Sequence, residues 1–232
     1  MTSLLIIGFL IGMRHALEAD HVAAVASLAS KQQTLRQAMH QGLAWGLGHT
    51  LTLFLIGSIV IWMDTVVPAS LAQLLEFLVG VMLVILGGDV LFRVIRERIH
   101  FHKHNHGPKV HFHAHSHANE GDHQNSAHRH QHRIKFPLRF LLVGLMHGMA
   151  GSAAVILLTL DSIQSPWQGM LYILLFGVGS MLGMAVLSIA IAIPLRSSAK
   201  GLTWMHNGLQ TVIGVFTMGL GLSIMLGIGF PS

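Results

Sequence analysis

Six stretches of the chain stay apolar for long enough to cross roughly 30 Å of hydrocarbon, at about 3–29, 41–63, 71–92, 138–160, 168–193 and 205–229. Each is predicted to be a transmembrane helix, which makes the fold all-α and polytopic. The first is the least regular, because Arg14, His15, Glu18, Asp20 and His21 interrupt it. It does not read as a signal peptide: it has no basic n-region, is too long, and carries its charges where an h-region is apolar. Between the third and fourth stretches the pattern changes to a polar segment, 93–137, that holds twelve of the eighteen histidines, from His100 to His132. Such a segment has nothing from which to build a packed core, so it is predicted to be disordered without metal. Three units follow: a three-helix unit at 1–92, a His-rich linker at 93–137 and a second three-helix unit at 138–232.

The two outer units resemble one another. FLIGMRHALEAD from Phe9 aligns with LLVGLMHGMAGS from Leu141, placing Gly12 on Gly144 and His15 on His147, 132 positions on. WGLGH from Trp45 aligns with FGVGS from Phe176 at an offset of 131, placing His49 on Ser180, and VGVMLVILG from Val79 aligns with IGVFTMGLG from Ile213 at 134. Similarities in one order at nearly one offset predict a duplication. An odd number of spans per copy inserts the second copy upside down, the inverted-repeat logic of many transporters.

Composition places this pattern in lipid. The chain of 232 residues is 52% hydrophobic and 10% charged, with a mean hydropathy of +0.62, where a soluble domain carries about a quarter charged residues. Lys31 and Arg36 lie between spans 1 and 2, nine Lys/Arg from Arg93 to Arg139 lie between spans 3 and 4, and Arg196 and Lys200 follow span 5. The positive-inside rule then puts the linker in the cytoplasm and both termini outside, as expected of a bacterial-type inner-membrane protein. The basic balance is thus loop asymmetry, and no nucleic-acid partner is implied. With no cysteine, disulfides, thiolate zinc sites and Cys nucleophiles are excluded, and metal ligation must use imidazole, carboxylate, hydroxyl or carbonyl groups. The thirteen methionines read as lipid-facing or packing residues.

RHALEADH, residues 14–21, carries the candidate chemistry. Each ionisable group there would cost about 2.5–3.5 kcal/mol at the bilayer centre, so these groups should face protein or water. At 100° per residue His15, Glu18 and His21 form one stripe, whereas Asp20 points about 140° away from His15. Either Asp20 orients a histidine or pairs with Arg14 from behind, or the helix is interrupted here, a break that would depend on Gly12 and the polar cluster. His49, among Gly46, Gly48, Thr50 and Thr52, and His147, at the repeat position of His15, are each ordinary core histidines alone. Together with span 1 they predict a mixed nitrogen and oxygen site of His15, Glu18, Asp20, His21, His49 and His147, suited to Ni²⁺ or Co²⁺ and less selectively to Zn²⁺ or Mn²⁺. Gly148, Gly151, Ser152 and Ala153 form either a tight helix interface or a carbonyl-lined ion path. Asp64, Glu76, Asp89 and Asp161 lie near span ends, where charge is ordinary. In the linker, alternating His102, His104, His106, His111, His113, His115 and His117, with His128, His130 and His132, read as a multivalent cytosolic trap for divalent cations or as a solvated spacer.

RHALEADH has the His-x4-Asp-His pattern of the nickel/cobalt transporter (NiCoT) family, here His15, Asp20 and His21, and LGHT at 47–50 resembles that family's LGH(S/T) motif. The resemblance implies that His15, Asp20 and His21 are essential for transport and that His49 contributes to selectivity. Better-known uptake members have eight spans, and HGMAGSAA does not reproduce the acidic motif of their later spans. Six spans with a His-rich loop resemble the short branch of urease-accessory nickel permeases and nickel/cobalt exporters. Ni²⁺ or Co²⁺ is then the transported substrate, with no permanent cofactor, and cytosolic nickel-enzyme maturation proteins are candidate partners.

The expected activity is uptake by alternating access, with efflux as the alternative direction. There is no ATP-binding G-x4-G-K-(S/T) signature, and an inside-negative potential favours dication uptake by about 4.6 kcal/mol per 100 mV. Binding needs neutral imidazole, so acid should weaken it. Two readings from other classes are an intramembrane hydrolase with catalytic Zn²⁺ and Glu18 as general base, and a non-transporting sensor or donor of metal.

Overall fold

A computed structural model describes residues 2–30, 34–63, 68–97, 100–106, 109–115, 138–160, 165–201 and 203–229, with side-chain surroundings for 5–30, 34–63, 68–96, 138–149, 165–199 and 204–228. Among these residues run the helices α1 (Thr2–His15), α2 (Ala19–Ala29), α3 (Leu35–Met63), α4 (Ala69–Glu97), α5 (Leu138–Leu160), α6 (Pro166–Gly201) and α7 (Thr203–Gly229). Four of them, α3, α4, α6 and α7, are long and apolar enough to cross a membrane. The expectation of six spans differs from that number chiefly at the first stretch, which is two short helices of 14 and 11 residues. Helix α5 is 23 residues long, and its described apolar part is Leu138–Met149.

The break between α1 and α2 contains neither proline nor glycine. The end of α1 tightens, with Leu17 N donating to Arg14 O (2.9 Å) and Glu18 N to His15 O (3.0 Å), which satisfies carbonyls that a helix end leaves open. Glu18 then turns to an extended conformation (φ −64, ψ 148), and α2 begins with Val22 N donating to Glu18 O at 2.9 Å. Gly12 has another task than the expected hinge. It sits within α1, where a Cβ would overlap the backbone carbonyl of Phe176 on α6.

Close approach through small residues organises the bundle. Helix α3 lies against α5 and α6, α4 against α7, α1 against α6, and α2 against α6 and α7. Besides Gly12, a Cβ at Gly179 would overlap the Phe9 carbonyl, one at Gly48 the Leu141 carbonyl, and one at Gly144 the Trp45 carbonyl. Gly148 meets the His49 carbonyl, so this part of HGMAGSAA is a helix interface; Gly151, Ser152 and Ala153 have side chains outside the described residues. Thr50 Oγ1 donates to Gly177 O (2.9 Å) and Thr52 Oγ1 to Leu145 O (3.0 Å), tying α3 to α6 and α5. Outside the bundle, Ile6, Leu10, Leu55, Ile85 and Val186 are exposed, as on a lipid-facing surface. Trp62, Trp167 and Trp204 are exposed near helix ends, where membrane-interface belts collect indoles.

Two segments of the linker are among the described residues. Strands β1 (His100–His106) and β2 (Lys109–His115) pair antiparallel, with His100, His102 and His104 opposite His115, His113 and His111, and His106 opposite Lys109. Histidine at every second position, interleaved with Phe101, Phe112 and Val110, is a two-residue period that an extended strand accommodates. His117, His128, His130 and His132 lie outside the described residues, as do Asp64 and Asp161.

Candidate metal centre

The break in the first span places its polar groups. With α2 released from the register of α1, Asp20 and His21 turn to the same interior region as His15, so the helical-wheel conflict disappears. The C-terminal end of α1 and the N-terminal end of α2 both meet here, as in the discontinuous helices of transporters. Asp20 lies in the first turn of α2, where the helix dipole favours a carboxylate, and its Oδ1 accepts from His21 N at 2.9 Å.

Four imidazoles converge from α1, α2, α3 and α5. His15, His21, His49 and His147 are 4%, 0%, 0% and 1% exposed. Ring centroids are 4.4 Å apart for His15 and His21, 5.3 Å for His15 and His49, 5.2 Å for His21 and His49, and 4.1 Å for His21 and His147. Two sets, His15 with His21 and His49, and Asp20 with His21 and His147, each offer donor atoms within 4.8 Å of one another. Two imidazole nitrogens on opposite sides of a first-row ion stand about 4.2 Å apart, so the first set is close to a coordination sphere, whereas the second is drawn together by the contacts of Asp20 with the two rings.

Two carboxylates determine which nitrogens are free. Asp20 Oδ1 lies 3.0 Å from His21 Nδ1, and Oδ2 lies 3.0 Å from His147 Nε2. A carboxylate only accepts, so both nitrogens carry the proton and His21 Nε2 and His147 Nδ1 are left as lone pairs. Glu18, 57% exposed at the break, brings Oε1 to 2.8 Å from His15 Nδ1, leaving His15 Nε2. His21 Nε2, His147 Nδ1, His15 Nε2 and both nitrogens of His49 are buried with no hydrogen-bond partner. Buried polar atoms are rarely left so. Five of them on four neighbouring rings have the chemistry of a cation site: imidazoles oriented by carboxylates.

All six residues singled out in the membrane part therefore come together. Arg14, the candidate partner of Asp20, is exposed, and Asp20 serves the histidines. Sequence reasoning missed Trp45 and Phe176. Trp45 is 1% exposed and stacks on His21 at 5.8 Å, with His147 edge-on at 5.6 Å; Phe176, also 1% exposed, lies 5.2 Å from His15. The signal was present in the aligned motifs WGLGH and FGVGS, which begin with these two aromatics.

Buried imidazoles with unpartnered nitrogens, held by carboxylates and enclosed by apolar helices, are the chemistry of an integral membrane protein that handles a metal cation. Comparison with known proteins makes this specific. The family model described as high-affinity nickel-transport protein (NicO) matches residues 1–230, and the chain belongs to that family. It is 34% identical over 229 residues to the urease accessory protein UreH of Bacillus sp. (strain TB-90), covering 99% of this chain and 93% of that protein. No solved structure matches it. The protein is accordingly a transporter and not an enzyme, and nickel is its substrate, not a resident cofactor.

Proposed function

We propose that the protein takes up Ni²⁺, and Co²⁺ by the same chemistry, through a site of His15 Nε2, His21 Nε2, His49 and His147 Nδ1, with Asp20 and Glu18 as the groups that hold the rings. The observation that carries this is the set of buried imidazole nitrogens without partners. Mixed nitrogen and oxygen surroundings without thiolate suit Ni²⁺ and Co²⁺. A hydrated ion would exchange part of its water shell for these nitrogens.

Six membrane crossings, with α1 and α2 together as the first, and two oppositely oriented halves form the architecture of this reading. Reciprocal glycine contacts support it. Gly12 lies under the Phe176 carbonyl and Gly144 under that of Trp45; Gly179 lies under Phe9 and Gly48 under Leu141. In each case the second pair follows from the first by exchanging halves at the offsets of the sequence alignment. Trp45 and Phe176 then cover the site on opposite sides. Trp45 also walls a cleft with Leu28, Ala29, Ala38, Gln41 and Ser188, at the end of the bundle that is cytoplasmic in this reading. Alternating displacement of the two aromatics opens the site to one side at a time. An inside-negative potential drives the dication inward.

The linker acts as an auxiliary cytosolic metal reservoir, supported by the three histidine pairs opposite one another in the β1 and β2 register. The name of the UreH relative supports delivery of the ion to nickel-enzyme maturation proteins. Flux of Ni²⁺ into sealed proteoliposomes under an imposed potential, inside negative, tests the reading. Binding without flux under any gradient would refute it, and outward movement in cells, measured as lowered nickel content on expression, would reverse the direction.

A further inference from the structure

Helix α6 carries one polar side chain that neither the fold nor the six site residues explain. Ser180 is 0% exposed and its hydroxyl has no hydrogen-bond partner. Serine in an apolar helix ordinarily bonds the carbonyl four residues back. Ser188 does so with Met184 O (2.7 Å) and Ser197 with Ile193 O (3.0 Å) in the same helix. Ser180 does not, and a buried hydroxyl without a partner is unfavourable where alanine would fill the same space.

Its direction and depth follow from its neighbours. With Phe176 taken as zero on the helical wheel, Gly179 and Gly183, which touch Phe9, Met13 and Ala16 of the first span, lie at about −60° and −20°. Gly177 and Met181, which touch Thr50 and Gly46 of α3, lie at about 100° and 140°. Ser180 falls at about 40°, between the two sets, so its side chain points into the wedge between α1 and α3. Along α6 it lies between the level of Gly12, at Phe176, and that of Ala16, at Gly183, which is the level of His15. Along α3 it lies between the levels of Thr50 and Gly46, the turn that carries His49. The sequence alignment reaches the same position independently by pairing Ser180 with His49.

We infer that the Ser180 hydroxyl is an oxygen donor to the transported ion, placed between His15 and His49 and supplying from α6 what His49 supplies from α3. This rests on the proposed imidazole site. It adds a neutral oxygen to a set of nitrogens, the kind of donor that favours Ni²⁺ and Co²⁺ over softer ions.

The absence of cysteine from the chain makes a direct test possible. In the purified full-length protein, Ser180→Cys introduces a single thiol, and titration with Co²⁺ should produce a thiolate-to-cobalt charge-transfer band. The band should be absent from the unaltered protein and from Val186→Cys, on the exposed side of α6. Cobalt bound by Ser180→Cys without that band overturns this inference and leaves the imidazole site standing. Failure of the unaltered protein to bind cobalt at all overturns the imidazole site and this inference with it. A second pair covers poor recovery of the Cys variant. Ser180→Ala should weaken Ni²⁺ binding about ten- to a hundredfold, the range for one polar contact to a charged partner, and Ser180→Thr, which keeps the hydroxyl, should restore it to within about threefold. Equal affinity in the Ala variant overturns the inference.

Discussion

Asp20→Asn isolates what the carboxylate does. Each Asp20 oxygen accepts from one imidazole, His21 Nδ1 and His147 Nε2, both at 3.0 Å. Asparagine keeps one acceptor and replaces the other by an NH₂ donor, so it can serve only one ring in the same way. The other ring must offer a lone pair to the amide, which moves its own proton to the nitrogen facing the ion and removes one of four donors. Loss of such an orienting partner weakens metal binding roughly 10–100-fold, or about 1.4–2.7 kcal/mol. Equilibrium dialysis with radiolabelled nickel, on protein in lipid nanodiscs at neutral pH, measures it directly. An affinity within about twofold of the unaltered protein would refute the orienting role. Complete loss of binding by a folded Asp20→Asn protein would equally refute it, because the carboxylate would then hold the ion itself.

Other consequences are as direct. Gly144→Ala pushes a methyl into the Trp45 carbonyl and should cost about 1–3 kcal/mol, lowering the melting temperature in detergent, whereas Gly208→Ala, with nothing within 4 Å, should stay within about 0.5 kcal/mol; equal effects would contradict the packing described. Ni²⁺ should quench the fluorescence of Trp45, stacked on His21 at 5.8 Å, and Trp45→Phe should remove most of the quench while Trp62, Trp167 and Trp204 still emit. A quench unchanged in that variant would place the ion elsewhere. Deleting 100–132 should reduce the number of nickel ions bound per chain and leave flux in proteoliposomes; abolished flux at normal membrane insertion would make the linker part of the path.

The apolar stretches and the histidines of the membrane part were legible because both signals are local: hydrophobic length, and the cost of charge in lipid. The role of Asp20 was legible only as alternatives, orienting a histidine, pairing with Arg14 or sitting at a helix break, and the sequence did not choose among them. A wheel drawn on an unbroken helix points it away from His15, and the break at 16–18 depends on a redirected backbone at Glu18 with no proline or glycine to announce it. Trp45, Phe176 and Ser180 were hidden for a related reason. An aromatic or a serine in an apolar helix is ordinary until tertiary packing shows what lies against it. In the linker, composition suggested a chain without structure, whereas the register of alternating histidines is compatible with paired strands.

The divided first span has a consequence for letting go of the ion. His15 travels with α1, which leans on α6, while His21 and Asp20 travel with α2, which also leans on α7, and His49 and His147 belong to two further helices. A chelate whose teeth are anchored in separate pieces has no fixed bite. In the proposed site, small relative slippage of those pieces would change how many donors reach the metal at once, so tight capture and ready discharge would alternate in one place by movement alone.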